Sequence, residues 1–154
     1  MLAMTDSPSA AVLRAAHTDD LPGIEQLLTA AGLPVAGVAS ALSGFVVAEF
    51  GGAIVGTAAL EVCQSDALLR SVAVAPEWRS RGLGRALVTR VIANAESQGL
   101  RALYLLTTTA EHYFPSFGFQ PVTREAVPAE VQGTVEFREA CPASAVVMCR
   151  QCCT

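Results

Sequence analysis

The chain has 154 residues, a hydrophobic content of 52% and a formal net charge of −4 at pH 7. This length suits one domain with a core of its own, and the negative charge argues against a general nucleic-acid surface. The apolar runs are short and interrupted, well below the roughly 20 residues of a transmembrane helix, and all ten basic residues are arginines, which excludes chemistry that needs a lysine.

The two ends of the chain are predicted to be peripheral. Residues 1–11 lack the basic and apolar segments of a secretion signal, so we expect a flexible leader on a cytoplasmic protein. An odd number of cysteines favours free thiols; the five are Cys63, Cys141, Cys149, Cys152 and Cys153. Because no second Cys or His pair stands at zinc-site spacing from Cys149 and Cys152, residues 149–154 are interpreted as a thiol-bearing tail without a metal.

The first half of the chain predicts four strands and one helix. Apolar runs bounded by turn residues indicate the strands, and the spacing of Leu21, Ile24, Leu27 and Leu28 indicates the helix. In chain order we predict a strand at 12–16, a helix at 21–31, a hairpin of strands 45–49 and 54–61, and a strand at 68–74. Residues 34–42 are expected to form a loop or weak helix over a substrate site.

The second half predicts a crossover and a shorter, less regular end. A long amphipathic helix at 83–98 is followed by an apolar run at 102–106, typical of a strand buried on both faces. A strand, helix and strand in this order favour a right-handed crossover with parallel pairing. Downstream we predict a short helix at 110–117, a strand near 119–122, a helical turn near 125–131 and a final strand at 143–148.

The turn between the strand at 68–74 and the long helix is rich in arginine and glycine. It reads Arg79-Ser80-Arg81-Gly82-Leu83-Gly84-Arg85. Free N–H groups and the positive dipole end at a helix start favour an anion, and glycine lets a ligand approach the backbone. The alternative is a turn that uses glycine only for a positive φ. Residues 79–85, the diphosphate loop below, therefore predict a diphosphate site.

The order of elements resembles that of the GNAT N-acetyltransferases over roughly residues 10–150. The diphosphate loop matches that superfamily's acyl-CoA pyrophosphate loop, and Phe117-Gly118-Phe119 matches its closing Gly-Phe signature. The resemblance implies one domain over 1–154 of the α/β (α+β) class. It also implies a mixed, mostly antiparallel sheet of about six to seven strands, with a central splayed parallel pair and helices on both faces.

The resemblance further implies acetyl-CoA as the co-substrate, without a metal. The backbone of Val72, Ala73 and Val74 is expected to bind the pantetheine arm like an added strand. The diphosphate is expected on the residues of the loop: Arg79, Arg81, Gly82, Leu83, Gly84 and Arg85.

Three segments narrow the resemblance to the ArsN-type acetyltransferases, which are associated with arsenic-resistance genes. These segments are residues 68–74, 103–111 and 141–145. The implied substrate is the α-amino group of a glutamate-like arsenic or phosphorus amino acid.

The proton donor is left open by the sequence. The family often uses a tyrosine four residues before the Gly of Gly-Phe, and that position holds Phe114. The adjacent Tyr113 would point about 100° away on an α-helix. We predict Tyr113 as the acid, acting through a shifted helix, with solvent or His112 as alternatives.

Candidates for the proton acceptor and the substrate site lie on the strand ends. Glu61 is predicted as the base, directly or through water, with Glu111 as the alternative. Arg70 interrupts an apolar strand, so it either points outward or pairs with an anion such as a substrate carboxylate. Further substrate contacts are expected from Thr107, Thr108, Thr109, Phe114 and Arg124; Trp78 is expected beside the loop, and Cys141 as a packing residue.

The combined prediction is a cytoplasmic enzyme that transfers acetyl directly from acetyl-CoA to the primary amine of a small anionic amino acid. The alternatives are acetylation of a protein N-terminus or a polyamine, and a non-catalytic acyl-CoA-binding module. We expect no nucleic-acid or membrane partner, and a homodimer is a further expectation.

Overall fold

A single mixed sheet organises the part of the chain that the computed structural model describes, residues 11–108, 110–134, 137 and 145–152. Seven strands in this part follow the order β1-β2-β3-β4-β5-β7-β6, and only β4 and β5 run parallel. The strands are β1 (Val12–Ala15), β2 (Phe45–Phe50), β3 (Ala53–Cys63), β4 (Asp66–Val74), β5 (Ala102–Thr107), β6 (Gln120–Val122) and β7 (Val146–Gln151). The helices are α1 (Leu21–Ala30), α2 (Leu83–Ser97) and α3 (Ala129–Gln132).

The predicted fold class is confirmed, with helices on both faces of the sheet. Buried residues of α2 such as Leu87 and Val91 pack on one face, together with Leu69 of β4. Ile24 and Leu28 of α1 pack on the other face against Val47. Within the described part, no helix is long and apolar enough to cross a bilayer.

The end of the sheet differs from the prediction. β7 begins at Val146 and continues to Gln151, and Cys152 is buried, so the predicted tail at 149–154 is wrong through Cys152. The polar residues at the end of β7 do not indicate a strand in the sequence. Arg150 is accommodated on β7 because its side chain donates to the Phe117 carbonyl (2.8 Å) and to Glu96 (3.0 Å). The predicted leader to residue 10, Thr109, Cys141 and Cys153 lie outside the described residues, as does the predicted start of this strand at Ala143.

The predicted helix at 110–117 is also wrong. Residues 111–113 form a turn, and only Phe114–Phe117 is helical, as a short 3-10 helix. Pro115 explains the difference, because proline lacks an N–H donor and disfavours α geometry in the residue before it. The 3-10 helix ends at Gly118, whose φ is 91°.

β4 carries a bulge beyond the point where its pairing with β5 ends. Thr57 of β3 pairs with Ala73 and Ala59 pairs with Arg70, so Ser71 and Val72 together stand opposite one residue of β3. Ser71 adopts a φ of 59°, which is unusual for a residue with a side chain. β4 and β5 pair only at Ala67–Leu103 and Leu68–Tyr104 in the described part. Beyond Leu68 the strands diverge, and the β5-facing edge of β4 opens.

Close backbone packing at Gly44 yields a test of the fold. A Cβ on Gly44 would overlap with the carbonyl oxygen of Leu60 on β3. We expect Gly44→Ala to lower the free energy of unfolding in urea by about 1–3 kcal/mol, since the backbones must separate. Gly133→Ala is the matched control, because its Cβ would lie an ordinary 3.5 Å from the Ala129 oxygen. Equal effects of the two substitutions would contradict the packing.

Candidate active site

The opening between β4 and β5 forms a cleft of about 460 Å³. Its walls are Leu69–Val74 of β4 and Leu105–Thr107 of β5. The start of α2 closes one end, and residues of the turn before β6 lie along the side. The cleft brings together most of the predicted site residues: Arg70, Val72, Ala73, Val74, Arg79, Gly82, Leu83, Gly84, Arg85, Thr107, Tyr113 and Phe114.

The diphosphate loop has the backbone geometry of an anion site. Ser80 and Gly82 both adopt left-handed conformations, with φ values of 66° and 82°. Ala86 is the first residue whose N–H donates within α2, to the Gly82 carbonyl at 3.1 Å. The N–H groups of the preceding turn therefore project from the helix start, where its dipole is positive.

The three arginines of this loop occupy different places. Arg79 donates from Nε to the Val74 carbonyl at 3.3 Å. Arg81 lies over the ring of Trp78, 5.2 Å from its centroid, and does not line the cleft. Arg85 crosses to the far wall, where its guanidinium is 4.6 Å from the Phe117 ring centroid and 3.2 Å from Ser116 Oγ. Trp78 itself is buried and lines the cleft.

Arg70 is buried and ion-paired within the chain. The residue is 2% exposed, and its Nη1 lies 3.1 Å from Glu61 Oε1. Nη2 donates to the Ala36 carbonyl at 2.7 Å and Nε to Ser71 Oγ at 3.0 Å. Of the two predicted arrangements the structure shows pairing with an anion, and that anion is Glu61. The contact with Ala36 also fixes the loop that precedes β2 beside the cleft.

The other predicted acid–base residues and two predicted substrate contacts lie away from the cleft walls. Glu61 lines a separate small pocket with Ser43 and Gly44, behind Arg70. Glu111 and His112 are exposed in the turn before the 3-10 helix, and Thr108 is exposed after β5. Arg124 donates to the Ala145 carbonyl and lies over Phe137, which places it beyond β7.

Tyr113 and Phe114 both line the cleft, contrary to the expected 100° separation. The expectation assumed an α-helix, whereas Tyr113 precedes a 3-10 helix in a turn. Tyr113 is 37% exposed, and a Cβ placed on Gly84 would lie 3.5 Å from its hydroxyl. Partial burial raises the pKa of the Tyr113 phenol, and the positive charge of Arg85 opposes that rise.

Several cleft residues were missed by the sequence analysis. Ser71 offered a signal, since it is a polar residue beside Arg70 in an apolar strand. Leu33 offered none, because only the folded chain brings the loop after α1 against β4. The remaining missed residues are Leu69, Ser80, Leu105, Leu106 and Ala110.

Comparisons with known proteins agree with this geometry. The family model described as an acetyltransferase (GNAT) domain matches residues 41–121, more than half of the chain. The amino-acid acetyltransferase of Pseudomonas fluorescens (strain Pf0-1) is 42% identical over 87 residues, which is 55% of this chain and 20% of that protein. The protein of the same name from Aeromonas salmonicida (strain A449) is 38% identical over 90 residues, 57% of this chain and 20% of that protein. The chain thus matches about a fifth of the length of these curated relatives.

Solved structures show the same architecture. Rv2747 from Mycobacterium tuberculosis, in complex with CoA and NLQ, has a TM-score of 0.78 and 27% identity, covering 92% of this chain and 99% of that one. N-acetylglutamate synthase from Neisseria gonorrhoeae, complexed with coenzyme A and N-acetyl-glutamate, has a TM-score of 0.80 and 22% identity over 95% of this chain and 36% of that one. The similarity to N-acetylglutamate synthase, at 22% identity, is a similarity of fold.

The buried ion pair yields a stability test. Glu61→Gln removes the charge that balances Arg70, so we expect a loss of about 2–4 kcal/mol in the free energy of unfolding. The same substitution in an Arg70→Met background should cost less, because no buried charge is then left alone. A double-mutant cycle by urea unfolding is expected to give a coupling of roughly 1–3 kcal/mol. Additive effects would show that the pair does not act as a unit.

Proposed function

The chain belongs to the GNAT acetyltransferase domain family, and on that premise we propose that it transfers acetyl from acetyl-CoA to the α-amino group of a small amino acid. The observation that carries the proposal is the splayed pair of strands, whose open β4 edge leads directly to the N-terminus of α2. An extended ligand arm with an anionic end matches this combination of a free strand edge and a helix start.

The donor arrangement follows from these two features. In this proposal the pantetheine arm pairs with the backbone of Val72, Ala73 and Val74. The diphosphate accepts hydrogen bonds from the N–H groups of Gly82, Leu83 and Gly84 and from that of Arg85. Arg79 and Arg81 add positive charge near the loop.

The acceptor arrangement is proposed at the opposite end of the cleft. Arg70 lines the cleft there, with its guanidinium paired to Glu61 and its Nε donating to Ser71 Oγ. In this proposal an amino-acid carboxylate accepts a further hydrogen bond from the guanidinium of the Arg70–Glu61 pair, with Thr107 and Phe114 as further contacts. Curated relatives with the name amino-acid acetyltransferase support the choice of an amino acid over a polypeptide or a polyamine.

The reaction needs one bond made and one broken. The neutral amine nitrogen attacks the thioester carbonyl carbon, the carbon–sulfur bond breaks, and the sulfur takes the hydroxyl proton of Tyr113. The surplus proton on nitrogen passes to water, and solvent returns a proton to Tyr113. Glu61 lies behind Arg70, so in the role of base it acts through a water molecule.

The finer substrate assignment rests on the resemblance to ArsN-type enzymes. Residues 68–74 and 103–111 carry that resemblance within the cleft walls or beside them. We propose glutamate and its arsinate and phosphinate analogues as the first acceptors to test. A cytoplasmic location and a homodimer stay predictions.

A panel of amines tests this function. Purified protein with acetyl-CoA is expected to release CoA thiol with an α-amino acid as the acceptor. The same amine without its α-carboxylate should lose roughly tenfold to a hundredfold in kcat/KM, as the loss of a charge-assisted hydrogen bond implies.

Two outcomes would overturn the proposal in different ways. Binding of CoA without thiol release for any amine would indicate a non-catalytic acyl-CoA-binding module. A preference for polyamines or for peptides with a free N-terminus would leave the chemistry in place and contradict the amino-acid acceptor.

A further inference from the structure

We propose that the side chain of Arg85 positions Tyr113 for proton transfer and does not bind the diphosphate of the donor. This inference rests on the proposed function, because it gives Tyr113 the role of proton donor. Arg85 then has two separate roles. Its backbone N–H binds the donor diphosphate, and its guanidinium contacts the opposite wall of the cleft.

The contacts of Arg85 carry the inference. Its Nη2 lies 3.2 Å from Ser116 Oγ, and Ser116 Oγ donates in turn to the Tyr113 carbonyl at 2.8 Å. Its guanidinium also stacks on Phe117, whose ring meets that of Tyr113 edge-on with centroids 5.3 Å apart. Arg85 therefore reaches Tyr113 by two routes, one through a hydrogen-bonded hydroxyl and one through an aromatic ring.

The side chain of Tyr113 needs the support that these contacts with Arg85 provide. Tyr113 lies in a turn rather than in a helix; its N–H donates to the Ala110 carbonyl at 3.0 Å, which holds the backbone but not the direction of the phenol. The residue is 37% exposed; its ring contacts Phe114 and Phe117, and its hydroxyl lies near Gly84 at the start of α2. A proton donor displaced by about 1 Å can cost a hundredfold in rate, so a link from the rigid start of α2 has a direct catalytic consequence.

The charge of Arg85 acts on the same group. The charged side chains that line the cleft with Tyr113 are Arg70, Arg79 and Arg85, and Glu111 and His112 are its exposed neighbours in the turn. Arg85 is the one whose charge lowers the pKa of the Tyr113 phenol against the effect of burial. Removal of that charge should raise the pKa of Tyr113, because the phenolate loses a favourable neighbour.

The first experiment measures Tyr113 directly and needs no substrate. The chain has two tyrosines, Tyr104 and Tyr113, so Tyr104→Phe leaves one phenol whose ultraviolet absorbance reports its ionisation. In that background Arg85→Met should shift the Tyr113 titration to higher pH. Arg81→Met is the matched control, since it removes an arginine that stacks on Trp78 instead. If the Tyr113 phenol ionises at the same pH with Met as with Arg at position 85, the proposal is overturned.

The second experiment separates positioning from donor binding. With the amine that the wild type acetylates, Arg85→Met should lower kcat by about tenfold to a hundredfold and leave the Kd for CoA within twofold. Ser116→Ala should lower kcat in the same direction by a smaller factor. In a Tyr113→Phe background Arg85→Met should have no further effect on kcat. A Kd for CoA raised tenfold with kcat unchanged would show that Arg85 binds the donor and would overturn the proposal.

The proposed function and the positioning role of Arg85 can be contradicted independently. If the wild type acetylates no amine, the proposed function fails, whereas the titration still tests the link between Arg85 and Tyr113. If the wild type is active and Tyr113→Phe is equally active, the function stands and the role given to Arg85 is wrong.

Discussion

The divergence of β4 from β5 is the constraint on which the rest of the structure depends. A parallel pair inside a sheet is normally hydrogen-bonded along its length, yet here the two strands pair at two positions and then separate. Beyond the last pair, a bulge at Ser71 and Val72 shifts β4 against β3. The released edge of β4 becomes a binding surface, and the helix that follows β4 presents its N-terminus at the end of that surface. In the proposed function, donor recognition thus arises from main-chain geometry more than from particular side chains.

Main-chain recognition also explains which parts of the site could be predicted. The diphosphate loop was identified from Gly82 and Gly84 and from the strand and helix around them, all of which are local features. The strands and α2 followed from periodicity and from turn residues, and the mixed sheet followed from the resemblance. The bulge at Ser71 was not predicted, because its left-handed conformation carries no glycine to signal it. β7 was placed too early, since Arg150 and Gln151 are polar, and Arg150 takes its partners Phe117 and Glu96 from distant parts of the chain.

The acceptor side was harder to predict because it depends on contacts between distant segments. Arg70 was recognised as a charge in an apolar strand, but its partners come from β3 and from the loop at Ala36. Glu61 was expected in the cleft, and its pairing with Arg70 turns it to a neighbouring pocket instead. Tyr113 was judged by α-helical geometry, which Pro115 prevents. In each case only the tertiary structure defines what the residue contacts.

The central claim is that the open edge of β4 and the start of α2 together hold the acyl-CoA donor. Amide hydrogen exchange with and without CoA measures this most directly, since it reports main-chain hydrogen bonds. The account predicts slower exchange at residues 71–74 and 82–85 in the presence of CoA, with β1 and α1 unchanged. Saturating CoA that leaves the exchange of both segments unaltered, or protects α1 instead, would contradict it.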